Sequence, residues 1–248
     1  MKIISLGWGV QSFTLAAMVA LGELELVDFA IHADTTHESK LTYEFADRWV
    51  GWLLNNDVKV VTVKAPIADP LSVRGGIGIP AHTSTPNGGM LHRQCTHEWK
   101  TKPVRAWLQS NRKGEPIEQW LGISLDEYQR MKPSDVKYIT TRWPLIEMKM
   151  TRNDCKAWLS KHNLEIPPKS ACTFCPYHSM AGWRQIQNMP EDWREAVSVD
   201  RAIRKACPPC DLFVHPSRKP LEDVDLRTQE EKGQLSLWDN ECTGICGV

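Results

Sequence analysis

At 248 residues the chain is long enough for one large domain, or one domain with a small appendage. Its 30 Lys and Arg balance 30 Asp and Glu, which argues against a general basic coat for nucleic acid but leaves a local basic patch open. No run approaches ~18 apolar residues and the N-terminus lacks a signal-peptide core, so a membrane span is excluded and a cytoplasmic location is expected. In that compartment eight cysteines point to metal or redox use rather than a disulfide framework.

The first elements are organised around Lys2-Ile-Ile-Ser-Leu-Gly7-Trp8-Gly9-Val10-Gln11-Ser12. A strand-like run enters two glycines, and a helical pattern is predicted directly after Ser12, over Phe13 to Leu21. A strand, a tight turn and a helix N-terminus suit a phosphate, because the first helical N–H groups lack intrahelical partners and the helix dipole is positive there. Ser12 adds a hydroxyl donor. A purely structural turn remains the alternative, since many α/β domains begin this way.

Next, Leu26 to Ala33 predicts a second strand that ends at Asp34-Thr35-Thr36-His37-Glu38. A helix over about Lys40 to Asn55 and a third strand over Val58 to Val63 follow. This alternation predicts right-handed βαβ units, hence an α/β fold with a doubly wound parallel sheet. Ligands of such sheets sit at strand carboxyl ends, so the Gly7 turn and the Asp34–Glu38 stretch are placed to face one nucleotide. For the latter stretch, a helix-capping loop is the competing reading.

Residues 64–93, rich in Pro and Gly, read as a substrate loop or simply a mobile one. They lead to Cys95, flanked by Arg93, His97, Lys100 and Lys102, a cationic setting that favours thiolate or holds a phosphate or sulfate. A fourth strand is predicted over Glu118 to Ile123, a helix start at Ser124 to Glu127, a short strand from Tyr138 and a capped helix from Thr151 to His162. Cys155 on that helix reads as core. Eleven tryptophans read chiefly as core or pocket walls.

Lys169-Ser-Ala-Cys172-Thr-Phe-Cys175-Pro-Tyr-His178 is the strongest local chemical signal. A C-x-x-C knuckle sets two thiolates on one metal, and partners must come from elsewhere. Candidates are Cys95, the second pair Cys207-Pro-Pro-Cys210, and the tail cysteines Cys242 and Cys246. Two C-x-x-C pairs make a zinc site a competitor, though the helical intervening sequence, with Trp183, Ile186, Trp193, Val197 and Ile203 on repeating faces, is longer than the usual ~15–20-residue spacing. Asp192, Glu195, Asp200, Arg201 and Arg204 read as the solvated side of an amphipathic helix.

The hexapeptide Gly7-Trp8-Gly9-Val10-Gln11-Ser12 resembles the PP-loop of the ATP-pyrophosphatase superfamily, usually S-G-G-x-D-S, with Gly7, Trp8 and Gln11 departing from it. Arg93-x-Cys95-Thr-x-x-x-Lys100, the Lys169 to His178 segment and the terminal Glu241-Cys242-x-Gly-x-Cys246-Gly together resemble a phage and bacterial PP-loop group described as phosphoadenosine phosphosulfate (PAPS) reductase-like. The resemblance spans nearly the whole chain. It implies an adenine nucleotide alpha hydrolase-like domain over residues 1–165 and a helical, cysteine-rich region with a folded-back tail over 166–248.

It further implies a nucleotide held by Gly7, Gly9, Val10, Gln11, Ser12, Asp34, Thr35 and Glu38, with Asp34 positioning the nucleotide or Mg2+. A 4Fe-4S cluster would be ligated by Cys95, Cys172, Cys175 and Cys242, with zinc as the alternative. Lys100 or Lys102 would neutralise a leaving group. In one version ATP adenylates a nucleobase carbonyl of a tRNA or DNA acceptor, and a sulfur donor displaces AMP. In a second, Cys242 attacks adenylyl sulfate (APS) or PAPS, a thiol donor completes turnover and sulfite leaves. A third is a zinc-stabilised nucleotide-binding protein without catalysis. A homodimer is an admissible assembly.

Overall fold

The structure is a computed structural model that describes residues 1–66, 68–71, 76–228 and 231. The chain divides into two compact units. The first joins Met1–Ala68 with Thr96–Ser170, and the second joins Asp69–Cys95 with the described residues from Ala171 onward. No helix among the described residues is long and apolar enough to cross a membrane.

The first unit is built on β1 (Lys2–Ser5), α1 (Val10–Ala20), β2 (Phe29–Asp34), α2 (Lys40–Asn55) and β3 (Val60–Lys64). In the second unit lies the two-residue β4 (His82–Thr83); α3 (Lys102–Asn111), β5 (Ile117–Leu121), β6 (Ile139–Arg142), α4 (Pro144–Glu147) and α5 (Arg152–Lys161) return to the first. Five strands form a parallel sheet in the order β3-β2-β1-β5-β6. The order runs outward from β1 in one direction and then resumes on its other side with β5. The topological switch point therefore lies between the carboxyl ends of β1 and β5.

Alternation along each strand divides the core. Ile4, Ala30 and Trp120 point into a cluster with Phe13 and Leu15 of α1, Phe45 and Leu53 of α2, and Cys155 and Leu159 of α5. Ile3, Ile31, Val63, Ile117 and Ile139 point to the opposite face and pack on Val104 and Leu108 of α3. Helices thus cover both faces, the doubly wound arrangement expected for a parallel sheet buried on both sides.

Several element boundaries differ from the sequence expectation. α1 starts at Val10, not after Ser12, because Gly9 takes an extended N-cap conformation and its carbonyl accepts the Phe13 N–H at 2.9 Å. Residues 26–28 precede β2, and β3 and β5 are also displaced by one or two residues. The predicted helix after Ser124 is a pair of short 3-10 turns within Leu125–Arg130, broken by the non-helical backbone of Glu127. The helix after Thr151 is confirmed, with Thr151 and Asp154 forming a reciprocal capping box.

In the second unit α6 (Met180–Gln187) and α7 (Pro190–Ile203) precede β7 (Leu212–Phe213), which pairs antiparallel with β4. The expectation of a solvated acidic face on α7 is corrected for two residues, since Asp192 and Asp200 are buried. Asp200 accepts the N–H groups of Val214 at 2.9 Å and Leu221 at 3.0 Å and pairs with Arg204. An irregular arm covers that helix face and supplies donors, so a carboxylate is buried there with its hydrogen bonds made.

Candidate functional site

The β1–α1 turn stands at the switch point. Val10, Gln11 and Ser12 occupy the first turn of α1, where backbone N–H groups have no helical acceptor. The Ser12 hydroxyl staples the turn, accepting the Gly7 N–H at 3.1 Å and donating to the Gly9 carbonyl at 3.2 Å. Its proton is thereby directed inward, onto the backbone. Trp8 sits in the left-handed region at φ 55, the conformation that suits glycine. Its buried ring packs on Phe13, His32 and Phe45, and this packing offsets the backbone strain.

Gly122, the first residue after β5, closes the other side of the turn. A Cβ there would stand 2.7 Å from Ser12 N and 2.9 Å from Ser12 Cα, so only glycine lets the end of β5 meet the start of α1. Gln11 is buried and its amide Nε2 donates to the Ser124 hydroxyl at 3.3 Å. Ser124 in turn hydrogen-bonds the Asp126 carboxyl, which also accepts the Arg152 N–H at 2.9 Å. Burial raises the Asp126 pKa, but these hydrogen bonds outweigh it and hold the group below its ordinary value.

At the carboxyl end of the neighbouring strand, Asp34 accepts the Thr36 N–H and the Tyr43 hydroxyl, each at 2.8 Å, and pairs with Lys64 at 2.9 Å. Burial pushes this carboxyl up, yet Lys64, Thr36 and Tyr43 together hold it below the usual range. Burial first, then Asp34, raise the Tyr43 phenol. Three donors hold this carboxylate in one orientation. The capping alternative for this stretch is not what forms: Ser39 is the N-cap of α2, and Asp34 bonds outside that helix end. Thr35 is buried, and its hydroxyl lies 3.4 Å from the His37 N–H.

Glu38 is buried and receives Lys100 Nζ at 2.8 Å and the Ser170 hydroxyl at 3.0 Å. Ser170 also lies beside the β1–α1 turn, its Cβ 3.7 Å from where a Gly9 Cβ would be. Lys100 is carried by a π-helical turn, Thr96–Thr101, that runs into α3 and packs the buried Trp99 on the His37 ring at 5.5 Å. Lys102 points elsewhere: it is exposed and pairs with Glu98 at 3.1 Å.

The first unit therefore gathers Gly7, Gly9, Val10, Gln11 and Ser12 in one turn, with Glu38 and Lys100 linked to it through Ser170. Gly122 and Ser170 were not singled out by sequence reasoning, and Ser124 was read only as a helix start. A glycine at the predicted end of the strand beside the first was the available signal for Gly122, and the serine of Lys169-Ser-Ala-Cys172 for Ser170.

Cys95, Cys172 and Cys175 all belong to the second unit and are half-buried. The knuckle forms as a turn: Cys175 N–H donates to the Cys172 carbonyl at 3.0 Å, and His178 Nε2 lies 2.9 Å from the same oxygen. Among the described residues no three His, Cys, Asp or Glu stand close enough to hold one metal ion. Cys95 is therefore not gathered with the knuckle, and Cys207 and Cys210 do not join it to make a four-cysteine zinc site. Cys242, the fourth candidate, and Cys246 lie outside the described residues. Cys155 is core, as expected, and burial pushes its thiol up to about 12.

No family model and no curated protein matches the chain. Among solved structures it is similar to the crystal structure of phosphoadenylyl-sulfate (PAPS) reductase from Candida auris in a phosphate complex. The TM-score is 0.47 and the identity 12%, over 67% of this chain and 74% of that chain.

Proposed function

We propose that the chain is an enzyme of the PP-loop, adenine nucleotide alpha hydrolase type that uses ATP or an adenylyl nucleotide in sulfur chemistry. The observation that carries this reading is the turn at the switch point: α1 begins at Val10 between the ends of β1 and β5, and Gly122 leaves its backbone unobstructed. The N–H groups of the first turn of α1 are the phosphate donors, and the helix dipole adds to them. Asp34, fixed by its three donors, orients the adenosine side. Lys100 is linked to the turn through Glu38 and Ser170, and it neutralises charge that develops on the leaving group.

In the thiolation version a nucleobase carbonyl oxygen attacks the α-phosphorus of ATP and pyrophosphate leaves. A sulfide-level sulfur then adds to the activated carbon, and AMP departs with the former carbonyl oxygen. The protein's part is to hold the triphosphate in line and to keep water from the adenylated base. The knuckle and its resemblance favour a 4Fe-4S cluster as part of the apparatus, with the ligands beyond Cys172 and Cys175 unassigned. No step above passes through it. A sulfonucleotide reductase working through Cys242 is the second reading, favoured by the Glu241-Cys242 tail.

The test is calorimetric titration of the purified chain with ATP, APS and PAPS, followed by incubation of each nucleotide with tRNA or DNA and sulfide. Thiolation predicts AMP and pyrophosphate that appear only with the acceptor. Sulfite released from PAPS or APS, and lost in Cys242→Ser, selects the reductase. No binding of any adenine nucleotide refutes both.

A further inference from the structure

We propose that Cys207 and Cys210 form a redox dithiol that a small-molecule disulfide of the glutathione type converts reversibly to an intramolecular disulfide. The inference does not depend on the nucleotide reading, since the pair lies in the second unit, outside the residues assigned to the phosphate turn.

The two residues face each other across a tight turn. They form an antiparallel bridge, and the Cys210 N–H donates to the Cys207 carbonyl at 3.1 Å. Residues directly opposite in such a pair have Cα atoms about 4.5–5.5 Å apart, inside the ~4.4–6.8 Å range a disulfide spans. That backbone separation is compatible with closure of the bond. Pro208 and Pro209, with φ restricted by their rings, fill the turn and keep the cysteines facing each other in both redox states.

The turn is also fixed at its exit. Asp211 N–H donates to the Ser84 hydroxyl at 2.8 Å, the Ser84 N–H donates to the Asp211 carbonyl at 2.9 Å, and Lys205 pairs with Asp211. Both residues are only half-buried, unlike a core cysteine. The contrast is with Cys155, enclosed in the core of the first unit.

The roles of the two thiols follow from their hydrogen bonds. Cys210 Sγ donates to the Cys207 carbonyl at 3.1 Å. Burial first, then the hydrogen bond and charge of the adjacent Cys207 sulfur, raise its pKa. The hydrogen bond to the Cys207 carbonyl engages the Cys210 proton, and Cys207, whose sulfur makes no such donation to the turn, is the attacking thiol. Cys207 thiolate attacks one sulfur of the disulfide, an S–S bond forms to Cys207, and one glutathione thiolate leaves and takes a proton. Cys210 then loses its proton and attacks the Cys207 sulfur, which closes the protein disulfide and expels the second glutathione as thiol. Two protein thiols are oxidised by two electrons and one disulfide is reduced to two thiols.

The experiment equilibrates the purified full chain in buffers running from reduced to oxidised glutathione. Samples are acid-quenched, alkylated and digested, and the peptide spanning Cys207 to Cys210 is weighed. The expected result is passage from a doubly alkylated peptide to an unalkylated one lighter by two hydrogens, reversed by dithiothreitol and unchanged in Cys95→Ser. Cys210→Ser should trap glutathione on Cys207, whereas Cys207→Ser should leave Cys210 open to alkylation. If a variant fails to fold, the unmodified chain's titration decides alone. A peptide that stays doubly alkylated across the series overturns the proposal. So does an equivalent of zinc that protects the pair and is lost in Cys207→Ser.

Discussion

Replacing Gly122 by alanine tests whether the junction of β5 and α1 is as tight as the geometry requires. The added methyl falls 2.7 Å from Ser12 N, 2.9 Å from Ser12 Cα and 3.0 Å from the Gln11 carbonyl carbon. All three are backbone atoms, so no rotamer change relieves the contact. Gly122 does not occupy the left-handed region, so the penalty is steric. Overpacking of this kind costs about 1–3 kcal/mol. At about 2–4 °C per kcal/mol for a chain of this size, the melting temperature should fall by roughly 2–12 °C. Relief requires the first turn of α1 to move, which misaims its N–H groups, so adenine nucleotide affinity should drop by about tenfold or more, ~1.4 kcal/mol. Gly51→Ala is the control: it lies in α2 with nothing within 4 Å of the new methyl, and should be neutral or stabilising by about 0.5–1 kcal/mol. Differential scanning fluorimetry and calorimetric titration read both quantities. A Gly122→Ala protein that melts and binds like the parent would refute the close approach and the placement of the phosphate site.

Ser12→Ala removes both hydrogen bonds of the turn staple, and should cost about 1–2 kcal/mol in denaturant unfolding while weakening nucleotide binding. Lys100→Met leaves the buried Glu38 carboxylate without its cation. A loss somewhat below the ~3–5 kcal/mol of fully buried pairs is expected because Lys100 is partly exposed, and Glu38→Gln in the same chain should recover much of it. Burial lowers the pKa of His32, His82 and His215, so the folded state resists their protonation. Their stabilisation is full above the ordinary histidine value of 6.5 and is lost as pH falls below it; melting temperatures should decline from pH 7 toward pH 5, and less steeply in His32→Gln. Gln11→Asp places a second carboxylate beside the Ser124–Asp126 pair, so its own pKa should rise; the variant should be less stable than the parent at pH 8 and recover relative to it at pH 5.

The parallel sheet was legible because β1, β2 and β3 are short apolar-rich runs that alternate with the helical periods of α1 and α2. Boundaries were less legible. Nothing local distinguishes Val10 as the first helical residue; the extended backbone of Gly9 decides it. The partnership of β4 with β7 escapes sequence reading because two residues carry no period and their partners lie far along the chain. Asp200 shows the commonest failure of helical-wheel reasoning. Its charge reads as solvent-facing, yet the arm that covers it has no regular pattern to announce that it will bring the N–H groups of Val214 and Leu221. Conversely, Trp8 looked anomalous in a glycine position and is explained by packing that only the folded core reveals.

The departures of the turn from the usual PP-loop sequence have a common physical consequence. A glycine at position 8 would take φ 55 without strain, but would leave the turn attached to the core by its backbone alone. Trp8 takes that conformation at a cost of order 1–3 kcal/mol and buries a large ring against Phe13 of α1 and Phe45 of α2, which more than offsets it. An aspartate at position 11 would meet the Ser124–Asp126 pair with an acceptor and a like charge. Gln11 instead donates to Ser124, tying the first turn of α1 to the segment that follows β5. Ser12 ties it to Gly7 and Gly9. The N–H groups of this turn are therefore held from the hydrophobic core, from the segment after β5 and from within. Preorganised donors do not have to be ordered when charge arrives, so a rigid turn stabilises a bound phosphate more than a flexible one with the same donors.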